Sequence, residues 1–425
     1  MTASPTPDRS LRLASADWLT RQETQAVFAA LAAKRHAARA VGGAVRNALL
    51  GRPVVDVDIA TTARPDEVIA AAQFAGLSAV PTGIAHGTVT VIADRVPYEV
   101  TTLRRDVETH GRHATVAFTD DWAADARRRD FTINALYCGA DGELFDPLGG
   151  APDIEARRVR FIGDPRERIR EDYLRILRFF RLTAEYAVGT PDVEALAACV
   201  LERDGVARLS AERVRQELLR LLVAPRGPEL VRSMLDYGLL PLVLDAAPRP
   251  TLLQRLADLE AALACEPDAI LRLAALAVEV AEDGDRLAAH LRLSNDERVR
   301  LVRVAACAPD LGPSGSEAAA RAYLYAEGAA GYRDRVLIAW ARSGDAPDSP
   351  SWRARLALPA RWQPPRFPLG GAEVMALGVP VGPRVGELLR AVEDWWIAGD
   401  FAADAGGLRD HLQKLVTLEQ NDEHN

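Results

Sequence analysis

The chain has 425 residues, of which 48% are hydrophobic and 26% are charged. This is the composition of a globular protein, so it excludes a fibrous or wholly disordered chain, and the length predicts two to four domains. The formal net charge of −8 argues against a broadly basic, nucleic-acid-binding surface. Because lysine occurs only at Lys34 and Lys414, almost all basic residues are arginine. We attribute this mainly to coding bias, with arginine's suitability for phosphate as a secondary benefit.

The cysteine and histidine patterns exclude several other classes. The four cysteines are scattered without a CxxC pair, which predicts a reduced protein in the cytoplasm. An HExxH motif and a His-Asp doublet near a second histidine are both missing, which argues against a zinc or HD-type hydrolase site. Residues 1–13 lack the apolar core of a signal peptide, and no run of 18 apolar residues occurs, so we expect no membrane association.

The pattern of the first 150 residues predicts an α/β head. Residues 1–20 are polar and contain Pro and Ser, which predicts a flexible N-terminal arm. From residue 21 to 150, strand and helix patterns are mixed. The predicted elements are a strand Ala37–Val41, a helix Ala44–Leu50, a strand Val54–Ala60, a helix Pro65–Ala75, a hairpin of Thr88–Ile92 and Val96–Thr101, a mobile loop Thr102–Asp120 and a helix Ala123–Tyr137.

After the head, the pattern predicts helices only. The stretch Asp146–Gly150 contains Pro and Gly residues that interrupt regular structure, so we place the end of the head there. From residue 164 onward, several predicted helices begin at or next to a proline or serine. Breaks near residues 225–228 and within 343–368 divide this part further. We therefore predict an α/β head (21–150) followed by an all-α neck (151–225), body (226–355) and tail (356–425).

The most informative stretch joins a glycine turn to two aspartates. Gly42-Gly43 opens a predicted helix whose free backbone N–H groups suit a triphosphate, and Arg46 adds a phosphate contact one turn later. Asp56 and Asp58 point to one face of a strand. Two such carboxylates repel unless cations lie between them, which is the arrangement that holds Mg²⁺ ions. Each signal alone is weak, but together they favour nucleotidyl transfer.

Two further signals leave alternatives open. Glu99 lies on the second hairpin strand, where it is either a third carboxylate of the metal site or an ordinary outward-facing glutamate. The segment Arg127–Arg129 either places arginines on phosphates or forms a solvated helix face paired with nearby aspartates. Taken alone, that segment favours the solvated face.

A predicted helix over residues 165–182 carries Glu171 and Arg175 on one side, with Asp172 beside Arg175. One interpretation is a surface helix whose ion pairs contribute about 0.2–0.5 kcal/mol each. The other is base recognition, because cytosine and adenine both present an amino donor beside a ring-nitrogen acceptor, whereas uracil and guanine present the reverse order. An adjacent Asp acceptor and Arg donor then accept C and A and reject U and G, since a buried unpaired polar group costs about 1–3 kcal/mol.

Six motifs in order resemble the class II tRNA nucleotidyltransferase/poly(A) polymerase family. They lie within residues 38–225 and read GGAVRNALLG…DVDIA, YEVTTLRRD, RRRDFTINALY, FDPLGG, EDYLRILRFFRL and RLSAERVRQELLRLL. A further stretch, residues 368–401, is similar to the tail of bacterial CCA-adding enzymes without an HD domain. The resemblance implies a polymerase-β-like head, a neck that holds the incoming base, and a body and tail that grip the tRNA elbow and acceptor stem.

The resemblance also implies roles for individual residues. It implies Mg²⁺ on Asp56 and Asp58, with Glu99 as a third catalytic carboxylate. The nucleotide-binding residues that it implies are Gly42, Gly43, Arg46, Arg129, Asp172, Arg175, Arg178 and Arg181. The loop Arg104–Phe118 matches the flexible element associated with switching from C to A addition. The sequence departs from the family at Asn47, where the family commonly has Asp. Asn keeps the acceptor oxygen of Asp but lacks its charge, so Asn47 suits a helix-capping role better than a role that needs a negative charge.

The leading hypothesis is template-independent addition of CMP and AMP, from CTP and ATP, to the 3′ end of tRNA with release of pyrophosphate. No obligate protein partner is evident. The alternatives are a poly(A) polymerase, a CC-only or A-only enzyme, a small-molecule nucleotidyltransferase, and an RNA-binding protein with an inactive head. Eight acids in residues 391–425 argue against the basic extension of bacterial poly(A) polymerases. Residues 157–181 hold nine arginines against four acids, which suits a short RNA end despite the overall charge.

Overall fold

The computed structural model describes residues 13–110, 113–305 and 311–422. The chain divides into two compact units, one ending at Val243 and the other beginning at Leu244. Within the described ranges, no helix is long and apolar enough to cross a membrane. Of the four cysteines, Cys138, Cys199 and Cys265 are free, and Cys307 lies outside the described residues.

The first unit opens with a head built on a mixed sheet. Its elements are α1 (Asp17–Thr20), α2 (Gln22–Ala33), β1 (Ala38–Val41), α3 (Gly43–Leu49), β2 (Asp58–Thr61), α4 (Pro65–Phe74), β3 (Ser78–Gly83), β4 (Thr88–Ala93), β5 (Val96–Thr102), β6 (Arg104–His110), β7 (His113–Phe118), α5 (Trp122–Arg127), β8 (Tyr137–Cys138) and β9 (Leu144–Phe145). Seven strands form one sheet in the order β3-β4-β5-β2-β1-β8-β9. Strands β2 and β5 are parallel and the other neighbours are antiparallel. The predicted α/β head is confirmed.

The core of the head follows from alternating burial along its strands. In β4, Val89, Val91 and Ala93 are buried, while the alternate residues Thr88, Thr90 and Ile92 are half-buried. Helices α2 and α4 cover this part of the sheet and pack against β4. Each contributes an apolar stripe at helical spacing, with Val27 and Leu31 from α2 and Val68 from α4 among the buried side chains. The predicted hairpin of β4 and β5 is also confirmed.

Three sequence predictions in the head are wrong. The arm predicted over residues 1–20 is helical and packed from residue 13, because Leu13, Trp18 and Leu19 are buried apolar side chains. Residues 1–12 lie outside the described part. The mobile loop predicted over Thr102–Asp120 is a two-stranded hairpin of β6 and β7, apart from residues 111 and 112, which are not described. Polar composition favours a loop, but it does not prevent backbone pairing.

The helix predicted over Ala123–Tyr137 ends at Arg127. The Asp130 carboxylate accepts a hydrogen bond from the backbone N–H of Phe131 (2.9 Å), which offers the backbone a partner other than the helix. A short 3₁₀ turn over Thr132–Asn134 follows, and Tyr137 then pairs with β1 as part of β8. The strand predicted over Val54–Ala60 also begins later, at Asp58.

The rest of the first unit is helical. Its helices are α6 (Ala151–Glu155), α7 (Pro165–Glu171), α8 (Leu174–Tyr186), α9 (Val193–Leu201), α10 (Ala211–Val223), α11 (Gly227–Asp236) and α12 (Leu240–Val243). Helix α8 packs against both α10 and α11. The division of the chain at Val243 therefore lies beyond the predicted end of the neck at residue 225, because α11 belongs with α8.

The single helix predicted over residues 165–182 is wrong. Helix α7 ends at Glu171, and Asp172 has extended backbone angles (φ −155°, ψ 106°). Its carboxylate accepts a hydrogen bond from the backbone N–H of Leu174 (3.2 Å) and so helps α8 to begin anew. Asp172 therefore lies at a junction between two helices, and Gly205 makes room for the neighbouring Tyr173, since a Cβ there would lie 1.9 Å from the Tyr173 ring.

The second unit is also helical. Its helices are α13 (Pro250–Ala262), α14 (Ala269–Ala277), α15 (Ala281–Leu291), α16 (Asn295–Ala305), α17 (Glu317–Ser343), α18 (Pro350–Leu356), α19 (Leu358–Arg361), α20 (Gly371–Ala376), α21 (Pro383–Ala398) and α22 (Ala405–Asp422). Helix α17 is interrupted at Gly328, whose φ of 70° is non-helical. The predicted border between body and tail, at residue 355, falls inside α18. The prediction of helices alone after residue 163 is confirmed for the described residues.

Two stacked tryptophans stabilise the second unit. The rings of Trp340 and Trp352 are 5.8 Å apart and nearly parallel, and both side chains are almost fully buried. We expect Trp352→Ala to lower the free energy of unfolding by about 3–5 kcal/mol, because it removes a large buried side chain and leaves a cavity. Trp395→Ala, at a 42% exposed position, is the control and costs less than about 1 kcal/mol. Equal losses in urea unfolding of the two variants would contradict this account.

Candidate active site

The predicted site begins at one edge of the sheet, where three strands meet. Val41, the last residue of β1, is paired with Asp58 of β2 and with Tyr137 of β8. Asp58 is also paired with Glu99 on the parallel strand β5. The turn that starts at Gly42 therefore lies beside two exposed carboxylates on neighbouring strands.

The glycine turn positions an arginine as well as a helix. Gly42 has a φ of +72°, in the left-handed region that glycine adopts without steric cost, and α3 begins at the next residue. A Cβ at Gly42 would lie 3.7 Å from the Nη1 atom of Arg129. The Arg129 guanidinium therefore rests against the turn, although the two residues are far apart in sequence.

The carboxylates at this edge affect the pKa of Asp58. Asp58 is exposed on one side, but neighbouring protein atoms remove part of its solvation and so raise its pKa. The nearby carboxylates of Glu99 and Asp56 raise this pKa further, while the Arg129 guanidinium opposes the shift. Oxygen ligands with mutually repelling charges suit a hard divalent cation. Within the described ranges, however, no group of three or more His, Cys, Asp or Glu side chains is arranged to hold a metal ion. The three carboxylates are neighbours without forming a complete ligand set.

A cavity of about 550 Å³ adjoins this edge and collects most of the predicted site residues. The predicted residues that line it are Gly42, Gly43, Arg46, Asp58, Arg129, Asp172, Arg175, Arg178 and Arg181. Asp56 and Glu99 do not line it. The lining residues that sequence reasoning missed are Asp130, Asn134, Leu174, Leu182, Arg213 and Arg220. Seven arginines thus face three aspartates, so the cavity attracts a polyanion.

Arg46 contributes a buried charge to this cavity. Its Nη1 atom donates to Asn134 (2.5 Å), its Nη2 atom to the Tyr186 hydroxyl (2.8 Å), and both Nε and Nη2 to Asn47. In the part of the chain that the structure describes, Arg46 has no carboxylate ion-pair partner. Burial lowers its pKa, but an arginine stays charged in a protein, so this charge is left to attract an anion.

The buried acid Asp125 fixes the orientation of Arg129. Asp125, whose side chain is 1% exposed, accepts hydrogen bonds from Arg128 (2.7 Å), Arg129 (3.2 Å) and the Tyr137 hydroxyl (2.8 Å). It also accepts the backbone N–H of Arg104, the first residue of β6 (3.3 Å). The predicted pairing of Arg127–Arg129 with nearby aspartates is therefore confirmed. The predicted solvation holds only for Arg127, whose side chain is 59% exposed.

Asp130, which is buried, and Arg178, which is partly exposed, form an ion pair that joins the head to α8. The Arg178 guanidinium donates to one Asp130 oxygen from Nε (2.7 Å) and Nη2 (2.6 Å). Burial raises the pKa of Asp130, but the Arg178 charge and hydrogen bonds from Asn134 and from the Phe131 backbone outweigh it and lower that pKa to about 2.

The two predicted base-reading residues, Asp172 and Arg175, line the cavity but do not form an ion pair with each other. The second Asp172 oxygen accepts from Arg213 of α10 (2.6 Å). Arg175 donates through Nη1 to the Arg168 carbonyl (2.6 Å) and to Glu171. Each side chain is thus oriented by a different neighbour. A carboxylate accepts up to about four hydrogen bonds, so Asp172 retains capacity toward a base.

Arg181, like Arg178, is held by carboxylates, but its side chain is less exposed. It is buried and donates to Glu217 (2.5 Å) and Glu185 (3.2 Å). Glu217 lies on α10, one turn after Arg213, and also approaches Arg178. The RLSAERVRQELLRLL motif therefore supplies the partners of three predicted site residues. Of these three residues, Arg178 and Arg181 are implied by the family resemblance alone, whereas the donor and acceptor pattern of the bases also indicates Asp172.

Two family models match the chain. The model described as "Poly A polymerase head domain" matches residues 38–160, and the model described as "Probable RNA and SrmB- binding site of polymerase A" matches residues 191–248. Together with the mixed sheet and the arginine-rich cavity beside its carboxylates, these matches define the class of protein. The chain is a nucleotidyltransferase with a head of the poly(A) polymerase type.

Comparison with similar proteins of known name identifies the family. The chain is 32% identical over 391 residues to mitochondrial CCA tRNA nucleotidyltransferase 1 of Mus musculus, which covers 90% of this chain and 88% of that protein. It is also 39% identical over 201 residues to the CCA-adding enzyme of Geobacillus thermodenitrificans, and this match covers 47% of this chain and 48% of that enzyme. The crystal structure of the Bacillus stearothermophilus CCA-adding enzyme in complex with CTP is similar, with a TM-score of 0.72, 27% identity, and coverage of 94% and 98%. The chain belongs to the CCA tRNA nucleotidyltransferase family.

The lowered pKa of Asp130 makes its contribution to stability dependent on pH. Because the folded-state pKa of about 2 lies below the ordinary value of 3.8, the contribution is complete above pH 4 and is lost as the pH falls through 2. We expect Asp130→Asn to lower the free energy of unfolding by about 2 kcal/mol at pH 7 and by about half as much at pH 3.

Urea unfolding of both proteins at pH 7, 5, 4 and 3 measures this difference. Asp204→Asn is the control, because the Asp204 side chain is 94% exposed and its loss leaves stability unchanged at each pH. A deficit of Asp130→Asn that stays constant from pH 7 to pH 3 would contradict the assignment.

Proposed function

We propose that this chain adds CMP and AMP, from CTP and ATP, to the 3′ end of tRNA and releases pyrophosphate. The observation that carries the proposal is the single cavity in which Asp58, the phosphate-binding arginines and the pair Asp172 and Arg175 come together. Membership of the CCA tRNA nucleotidyltransferase family supports it, as do relatives covered over most of their length.

Nucleotidyltransferases of this family use divalent metal ions, and we propose Mg²⁺ for this chain. Asp56 and Asp58 would hold the metal, with Glu99 as a further carboxylate beside Asp58. The fit rests on hard oxygen donors whose negative charges converge and raise the pKa of Asp58. When bound, such ions supply activation of an attacking hydroxyl and stabilisation of the departing pyrophosphate.

The triphosphate would lie against the arginines at the glycine turn. Arg46 carries a charge with no carboxylate partner among the described residues, and Arg129 rests against Gly42. Guanidinium groups bind phosphate oxygens through two parallel hydrogen bonds. Because the arginines are held by Asn134, Tyr186 and Asp125, they are in place before the nucleotide binds, which limits the reorganisation that the reaction requires.

The base would be read by Asp172 and Arg175, without a nucleic-acid template. Asp172 accepts the amino group that cytosine and adenine share, and Arg175 donates to the adjacent ring nitrogen. The ion pair with Arg213 orients the Asp172 carboxylate, and the ion pair with Glu171 orients the Arg175 guanidinium. Uracil and guanine place an acceptor against the carboxylate and a donor against the guanidinium, which leaves buried groups unpaired.

We also propose tRNA as the RNA substrate and the cytoplasm as the location. The helical segment that matches the RNA-binding model, residues 191–248, supports an RNA partner. The free cysteines support a reducing compartment. The Mus musculus relative is named mitochondrial, so this location is a proposal for the present chain.

If Asp58 holds the metal ion, its substitution should impair catalysis without impairing tRNA binding. We expect Asp58→Asn to lower the rate of CMP and AMP addition at least about 10³-fold, since it removes a metal ligand, while tRNA binding stays within about twofold. Asp66→Asn, an exposed aspartate in the first turn of α4, is the control and retains full activity. Single-turnover addition and filter binding measure the two properties. Wild-type activity in Asp58→Asn would sink the catalytic assignment.

The base-reading pair predicts a specific loss of discrimination. Purified protein is offered tRNAs that end before CCA, after C and after CC, each with a single NTP. The wild type adds CMP and AMP in order, and we expect Asp172→Ala and Arg175→Ala each to reduce the preference over UTP and GTP about 10- to 100-fold.

Arg166→Ala is the control for these variants, because Arg166 lies on α7 with an exposed side chain that pairs with Glu202. UMP or GMP addition by the wild type at rates like CMP would overturn base reading. Long A tails on RNAs other than tRNA would favour a poly(A) polymerase instead.

A further inference from the structure

Tyr186, the last residue of α8, contacts two arginines of the head. The Arg46 guanidinium lies over its ring at 4.0 Å from the centroid, and the Arg52 guanidinium at 4.7 Å. The Tyr186 hydroxyl accepts a hydrogen bond from Arg46 Nη2 (2.8 Å). The side chain is 6% exposed and is not part of the cavity lining, so it contacts Arg46 without facing the nucleotide.

Arg46 depends on neutral partners for its orientation. Its hydrogen bonds go to Asn47, Asn134 and Tyr186, and none of these side chains carries a charge. The other arginines of the cavity with a fixed orientation, such as Arg178 and Arg181, are held by carboxylates instead. Neutral partners fix a guanidinium while leaving its charge available, whereas a carboxylate neutralises it.

Arg52 is the second arginine that lies over the tyrosine ring. Its Nη2 atom donates to the backbone carbonyl of Glu185 (2.5 Å), which fixes this guanidinium on the end of α8. The ring of Tyr186 thereby contacts two cations, an interaction favoured by the negative face of an aromatic ring. The hydroxyl is consequently presented to Arg46 in one orientation.

We propose that Tyr186 is a positioning residue that fixes Arg46 for the triphosphate of the incoming nucleotide. The inference rests on the proposed function, in which Arg46 binds that triphosphate. Because CTP and ATP share the triphosphate, Tyr186 acts on both nucleotides alike and has no part in choosing the base.

The position of Tyr186 on α8 supports this division of roles. Helix α8 spans 13 residues, or about 20 Å at 1.5 Å per residue. The proposed base readers lie at its beginning, where Arg175 is in the first turn, and Tyr186 lies at its end. One rigid helix therefore sets the spacing between the contacts to the base and the support of the contact to the triphosphate.

Steady-state kinetics of CMP and AMP addition test the proposal. We expect Tyr186→Phe, which keeps the ring and removes the hydroxyl, to raise KM for CTP and ATP by the same factor, about three- to tenfold. Tyr186→Leu removes both contacts and raises KM further. Rejection of UTP stays as in the wild type. Tyr237→Phe is the matched control, because Tyr237 is exposed at the end of α11, and its KM values are those of the wild type.

A double-mutant cycle separates positioning from a general structural role. If Tyr186 acts through Arg46, Tyr186→Leu raises KM no further in an Arg46→Gln background. Additive effects, unequal effects on CTP and ATP, or unchanged KM in both Tyr186 variants would overturn the inference while the proposed function stands. A wild-type protein that adds neither CMP nor AMP to any tRNA would overturn the proposed function itself, and the inference with it.

Discussion

Seven arginine guanidiniums converge on one cavity in the first unit, and their mutual repulsion is the constraint around which that unit is organised. Several of them are held by acids placed behind the cavity wall. Asp125 supports Arg129, and Glu217 supports Arg181. Breaking such a pair leaves a buried charge uncompensated, which costs several kcal/mol, so these acids are as necessary to the site as the arginines. Arg46, supported by neutral groups, is the exception, because its charge has no carboxylate partner among the described residues.

This arrangement reconciles the overall charge of the chain with its proposed substrate. A net charge of −8 describes a total, and many of the acids that contribute to it lie behind the arginines or in the C-terminal helices. The cavity itself presents seven arginines against three aspartates. The positive potential is therefore confined to a site the size of a nucleotide, and a broad basic surface is not required for it.

The sequence predicted the parts of the site that local patterns encode. Gly42-Gly43 and Arg46 fall within a few residues, and Asp56 and Asp58 follow closely, so their proximity needs no knowledge of the fold. The hairpin that carries Glu99 is also predictable from the local sequence, because its two strands are joined by a tight turn. The helices after residue 163 followed from periodicity and from proline and serine at their first positions.

The contacts that complete the site lie far apart in sequence, and no local pattern encodes them. Asp172 reaches Arg213 across 41 residues, and Asp130 reaches Arg178 across 48. The break at Asp172 was missed because the residues on both sides are good helix formers, and the carboxylate's bond to Leu174 decides the backbone there. The helix predicted through Asp130 was wrong for the same reason. Aspartates that bond to their own backbone thus limited prediction at two points of the site.

The central claim is that protein groups at the start of α8 read the base while arginines at the glycine turn bind the triphosphate. A crystal structure of this chain with CTP tests it most directly. The account predicts the cytosine amino group within hydrogen-bonding distance of Asp172, its N3 atom within the same distance of Arg175, and phosphate oxygens on Arg46. A cytosine that contacts neither Asp172 nor Arg175, while its triphosphate lies in the cavity, would contradict it.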